Sequence, residues 1–140
     1  MNPLVIIVIG ILLIAIFIIA LITSSAGSKS TPEWKKKVQN QIYNIEKALQ
    51  LNNYLSLKNS LIEADKLLDF VLKQKKVNGE TLGERLKNSQ NLYSRDDYNN
   101  IWTAHKLRNE LVHEIDSKIS DNHIKNQTNN LLKSIKKLIA

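Results

Sequence analysis

The chain predicts an all-α protein, with one N-terminal transmembrane helix and then an up-and-down antiparallel bundle of four main helices and one short helix. Three observations carry that expectation. Residues 1–28 contain no Asp, Glu, Lys, Arg or His, so all 20 Lys+Arg and all 13 Asp+Glu fall in the rest of the chain. From Glu33 onward, apolar residues recur at steps of three and four, the period of a helix with one buried face. Only four Gly and two Pro punctuate 140 residues, too few for a turn-rich β protein, and no alternating strand pattern of useful length appears.

The first element is Pro3 to Thr23, PLVIIVIGILLIAIFIIALIT. About 20 apolar residues at 1.5 Å each match a hydrocarbon core of roughly 30 Å. A cleaved secretory signal is the alternative, with Ser24-Ser25-Ala26 as its cleavage site. The run is longer than a usual signal core of 7–15 residues, and no basic residue precedes it. Residues 1–23 therefore read as an uncleaved membrane anchor. Lys29 and Lys35-Lys36-Lys37 follow the span, so the positive-inside rule puts the C-terminal domain in the cytoplasm of a single-pass cell-membrane protein.

Residues 24–31 (SSAGSKST) read as a flexible linker, and residues 32–140 as the helical domain. Ser30-Thr31-Pro32-Glu33 offers a capping box with Pro in the first turn. Trp34, Val38, Ile42, Ile45 and Leu49 give the first soluble helix its apolar stripe, which breaks at Asn52-Asn53. Leu57, Leu61, Ala64, Leu68 and Val71 give the second, widened by Ile62, Leu67, Phe70 and Leu72, which suggests a central position. Asn78-Gly79 marks its end. Thr81-x-x-Glu84 opens a short helix to about Ser89, and 88–95 reads as a loop. Ser94 caps a helix running to about Asp116, with Asp96 and Asp97 at its positive end. Ser120 or Asp121 caps the last helix, striped by Ile124, Leu131, Ile135 and Leu138.

The helix from 95 to 116 holds the one constellation with chemistry in it. On a wheel centred on Arg108, Ile101, Ala104, Leu111, Val112 and Ile115 fall within about 60°, which puts Arg108 amid the apolar stripe. A permanently charged side chain there needs a partner. On the second helix Asp65 points inward and is the expected bidentate partner, with Asp69 in reserve. Trp102, His105, Asn109 and His113 share the adjoining edge with Tyr98. His105, Asn109 and His113 at i, i+4 and i+8 lack a nearby carboxylate triad, so neither metal nor cofactor is expected. The absence of Cys removes thiol nucleophiles, disulfides and Cys-based metal sites as well.

Arg108-Asn109-Glu110-Leu111-Val112-His113 resembles the signature of the HEPN superfamily: Arg, a polar residue, then His on a late helix of a small α-bundle. The wider stretch WTAHKLRNELVHE (102–114) looks like the form in small bacterial HEPN-like proteins, as do IEADKLLDFVLK (62–73) and GETLGERLKNS (79–89). The resemblance covers roughly Pro32 onward and leaves out the membrane span. It implies a metal-independent ribonuclease that acts as a homodimer, with the motif helices meeting. His113 would then be the acid–base or 2′-hydroxyl-activating group, Arg108 would bind the scissile phosphate, and Asn109 would orient the pair. Asp65, His105 and Trp102 would support them. The residue types suit the chemistry, since histidine exchanges protons near neutral pH and arginine offers a fixed fork to phosphate.

Many HEPN proteins are non-catalytic, so two classes stay open. One is a membrane-tethered enzyme or RNA- or nucleotide-binding module. The other is a membrane-anchored interaction scaffold, in which Arg108 only locks the bundle and His113 only donates to a carbonyl. The formal net charge of +7 suits either nucleic acid or an anionic membrane surface.

Overall fold

The computed structural model describes residues 2–25, 31–113 and 119–140. The described residues are helical, with no strand among them. The chain divides into two compact units, residues 1–31 and 32–140.

The first unit is helix α1, Pro3–Ser25. Pro3 sits in the first turn, where its missing N–H costs nothing. Residues 3–21 have a mean hydropathy of 3.6, and no part of that stretch is buried within the protein. The helix is thus long and apolar enough to cross a membrane. Ser24 and Ser25, expected in the linker, belong to α1, while 26–30 lie outside the described residues.

The second unit contains α2 (Glu33–Leu49), α3 (Tyr54–Gln74), the short α4 (Leu82–Lys87), a 3₁₀ turn (Gln90–Leu92), α5 (Arg95–His113) and α6 (Asp121–Ile139). Helix α3 packs against α2, α4, α5 and α6. It buries Leu57, Leu61, Ala64, Leu67, Leu68, Val71 and Leu72, and Ile62 and Phe70 are half-buried at the margins. Helix α2 contributes Val38, Ile42, Ile45 and Leu49, and α6 contributes Ile124, Leu131, Leu132, Ile135, Leu138 and Ile139. Burying each such side chain is worth about 1.5–3 kcal/mol.

Local capping explains most helix starts. The side chains of Asn53, Thr81 and Ser120 accept from the backbone N–H three residues on. The Ser94 hydroxyl accepts from Asp97 N at 3.2 Å. Helix α2 differs from the expectation: its N-cap is Pro32, and no side chain caps it. Its basic N-terminal turn is used differently, since Lys35 Nζ donates to the Ile139 carbonyl at 2.6 Å and so satisfies an end carbonyl of α6.

Helix α3 ends four residues before Asn78-Gly79. Lys76 takes the left-handed conformation (φ +58°), Lys76 N–H reaches the Lys73 carbonyl, and Val77 N–H reaches the Leu72 carbonyl at 3.0 Å. This is the Schellman closure, with lysine where glycine is usual and Val77 folded back on the core. The short helix α4 ends at Lys87 instead of Ser89, and the expected loop contains the 3₁₀ turn.

Helix α5 is rotated from the expected wheel. Its buried residues are Asp97, Ile101, Ala104, Leu107 and Leu111. The stripe centre thus lies about 40° from Arg108, toward Leu107. Arg108 is at the edge, with its side chain 26% exposed, and Val112 is 46% exposed. Ile115 and Asp116 lie outside the described residues. Asp97 explains part of the rotation. It is drawn inward by Lys137 of α6, which hydrogen-bonds its carboxylate, and by Lys133 at 3.7 Å. The Lys137 hydrogen bond, with that of Ser94, holds its carboxyl below the ordinary value.

A lysine with positive φ costs backbone energy that glycine avoids. We expect Lys76→Gly to stabilise the chain by about 0.5–1 kcal/mol, measured by urea unfolding followed by tryptophan fluorescence. A loss of stability would show that the Lys76 side chain contributes more than its backbone costs.

Candidate functional site

A cleft of about 470 Å³ opens between α3, the stretch from Glu80 to Arg85, and α5. Asp65, Lys66, Asp69 and Lys73 line it from α3, and His105, Arg108 and Asn109 from α5. A hollow of about 750 Å³ near Lys75, Asn78 and Asn88 has no carboxylate or imidazole in its lining.

One wall is built on Arg85, whose side chain is 5% exposed. Its Nε donates to Asp69 Oδ1 at 2.7 Å, its Nη2 to the Glu80 carbonyl at 2.9 Å, and its Nη1 to the Gly79 carbonyl. Lys73 binds the other Asp69 oxygen at 2.7 Å. Burial pushes the Asp69 carboxyl up, but the hydrogen bonds and charges of Arg85 and Lys73 outweigh it and hold the carboxyl below its ordinary value. Gly79 is required here for two reasons. Its φ is +140°, and a Cβ would fall 2.7 Å from Arg85 N. Only glycine lets this loop lie against α4 with its carbonyl on the guanidinium.

The opposite wall is built on Asp65, whose side chain is 5% exposed. Its Oδ1 accepts from His105 Nδ1 at 2.9 Å. Its Oδ2 lies 3.5 Å from Arg108 Nε, which is buried and makes no hydrogen bond. Arg108 and Asp65 therefore form an ion pair, but not the expected bidentate one. The Arg108 Nη1 donates to Asn109 Oδ1 at 3.0 Å. The Asn109 amide nitrogen lies 3.4 Å from His105 Nε2. A carboxylate can only accept, so the proton of the neutral imidazole sits on Nδ1, and Nε2 keeps a lone pair. Trp102 packs edge-on against His105 (6.0 Å between rings) and Tyr98 (6.3 Å).

Four sequence-predicted residues thus meet in one hydrogen-bonded group: Asp65, His105, Arg108 and Asn109. Trp102 buttresses it. His113 is exposed at the end of α5 and is not in the cleft lining. Asp69 serves Arg85 and not Arg108. Arg85 escaped the sequence reading, although Leu82, Arg85 and Leu86 at i, i+3 and i+4 place it on the apolar face of its short helix. Among the described residues, no three His, Asp or Glu side chains are grouped to hold a metal ion.

The argument for an obligatory partner applies in full to Arg85. Arg85→Ala should destabilise the chain by about 3 kcal/mol, because two carbonyls lose their donor and Asp69 keeps only the half-exposed Lys73. Arg108→Ala should cost less, about 1–2 kcal/mol, because Asp65 keeps His105. Urea unfolding of the two variants checks the order, and equal costs would refute it.

No protein-family model, curated protein or solved structure matches this chain.

Proposed function

We propose that residues 32–140 are an HEPN-like RNA-binding, metal-independent endoribonuclease domain, tethered to the cell membrane by α1. The observation that carries the reading is the Asp65–His105–Asn109–Arg108 group on the cleft wall. It pairs an imidazole in a defined tautomer with a guanidinium held beside it, the pair that phosphodiester transfer needs. The imidazole moves a proton, and the guanidinium neutralises charge on the phosphate oxygens. Lys66, Lys73, Arg85 and Arg108 outnumber Asp65, Asp69 and Glu80 in the cleft lining, a surplus that suits a polyanion. The exposed Val112 leaves α5 an apolar side chain open to a second copy, so the homodimer that the HEPN resemblance implies joins along that helix.

The helices pack in this reading as an up-and-down antiparallel bundle, and α1 is a single-pass anchor. Its exposed leucine, isoleucine and valine side chains form an apolar surface that a bilayer covers. Lysines 29 and 35–37 on its C-terminal side put the domain in the cytoplasm.

A second reading, a membrane-anchored interaction module without catalysis, is favoured by one feature. Tyr43 on α2, and Leu51 and Leu55 around the α2–α3 turn, are each 65% exposed.

The full-length chain in lipid nanodiscs should cleave single-stranded RNA in EDTA and leave 2′,3′-cyclic phosphate ends. It should also bind RNA at low salt, with affinity falling as salt rises. Neither cleavage nor binding leaves only the second reading. In cells the chain should remain in the membrane fraction after carbonate extraction, and its C-terminus should be protected from external protease. A mature chain whose sequenced N-terminus lies beyond α1 would overturn the anchor, and external cleavage would reverse the orientation.

A further inference from the structure

We propose that His105, not His113, is the residue that takes the 2′-hydroxyl proton of RNA, through its Nε2 atom, with Asp65 as its positioning residue and Gly83 as the opening that admits the ribose. This rests on the reading of the cleft as an RNA site and names its catalytic base.

Three observations converge on it. First, His105 is held as a general base must be. Asp65 binds Nδ1 at 2.9 Å from a side chain only 5% exposed, which fixes both the ring orientation and the tautomer. His113 makes no such contact, since it is exposed at the end of α5 outside the cleft lining. Second, among the described residues the lone pair on Nε2 meets one weak hydrogen-bond neighbour, the Asn109 amide at 3.4 Å. A ribose hydroxyl can replace that contact without leaving a strong bond unmade. Third, the wall beside Nε2 is Gly83. A Cβ there would stand 3.9 Å from Nε2 and 3.9 Å from Trp102. Those are ordinary contacts, so the fold tolerates a Cβ at this position, and glycine leaves the approach to the imidazole open.

The step balances without metal or redox change. Nε2 takes the proton of the 2′-hydroxyl as the 2′-oxygen bonds to phosphorus. The phosphorus–5′-oxygen bond breaks, and the departing 5′-oxygen takes a proton from water. The resulting hydroxide discharges the imidazolium, leaving a 2′,3′-cyclic phosphate and a 5′-hydroxyl. Arg108, one residue before Asn109 on the same wall, faces the phosphate. Asn109 and Asp65 act through the groups they hold.

The test uses the full chain in nanodiscs with a single-stranded oligoribonucleotide in EDTA. His105→Gly should lower kcat at least 100-fold, and added imidazole should restore a substantial part of it. A purely structural histidine would not give that rescue. His113→Ala should stay within about threefold of the wild type. Gly83→Ala should raise KM while the thermal melt is unchanged, and Gly83→Leu should raise KM further. Because His105→Gly also removes a partner of Asp65, His105→Gln provides a variant of similar size, with the same loss expected and folding checked by circular dichroism. Loss of cleavage in His113→Ala with retention in His105→Gln overturns the proposal and leaves the ribonuclease reading standing. A wild type that binds RNA but does not cleave it overturns the base assignment and leaves an RNA-binding module. A wild type that does neither removes both.

Discussion

The cleft depends on the requirement that a buried guanidinium be fully paired. Arg85 projects into an interior that cannot hydrate it, so every donor it turns inward needs an acceptor. One acceptor is a side chain on α3, Asp69, and two are backbone carbonyls of the segment joining α3 to α4. The pairing ties down a connection with little apolar content of its own, in which Val77 and Leu82 are half-buried. It also explains a glycine whose φ of +140° no other residue takes comfortably. Residues Glu80–Gly83 owe their position against the cleft to this arrangement. Glu84 adds to it, since its carboxylate accepts from Glu80 N at 2.7 Å while its own N–H donates to the Thr81 hydroxyl.

Asp65 plays a comparable part across the cleft, with a different outcome. It serves two donors from two oxygens, and only the imidazole makes a hydrogen bond. The guanidinium of Arg108 stands off at 3.5 Å and leans on Asn109. A charge so held is neither locked into the core nor loose in solvent. It is fixed closely enough to present a definite direction, and exposed enough to meet a ligand. Arg85 and Arg108 are thus two arginines beside two carboxylates one helical turn apart on α3. The first is consumed by structure and the second is left available.

The legible parts of the fold are those set by near neighbours in sequence. The apolar run of α1, the break at Asn52-Asn53, and the caps Thr81, Ser94 and Ser120 depend on groups within a few residues. The stripes of α2, α3 and α6 follow from spacing alone. What escaped depends on distant partners. Lys76 carries no mark of a left-handed cap, because the closure is driven by Val77 returning to the core. The rotation of α5 depends on Asp97 being drawn to lysines 133 and 137, some forty residues away. That rotation moved Arg108 from the stripe centre to its edge and exposed Val112. Within the site, Asp65 is legible because an inward carboxylate on a buried stripe is conspicuous. Its stronger partner is not, because a wheel gives direction and not distance, and His105 reaches the carboxylate more closely than Arg108 does.

The edge of the stripe on α5 explains why the polar group lies there. Residues 105, 108 and 109 fall between the buried face and the outward one, so each can be held from below and reached from above. At the centre of the stripe a charged side chain would be consumed by pairing, as Arg85 is. On the outer face it would lose its orientation to solvent, as His113 does at the exposed end of the same helix. The intermediate exposure of His105, 14%, and Arg108, 26%, is the physical signature of that compromise. Holding these groups by a carboxylate, an amide and the Trp102 ring costs the helix some apolar burial. The offset is supplied by Ile101, Ala104, Leu107 and Leu111 on the adjoining face. A site placed this way keeps its geometry through the packing of α5 on α3 and α6, so the stability of that packing and the alignment of the cleft groups rise and fall together.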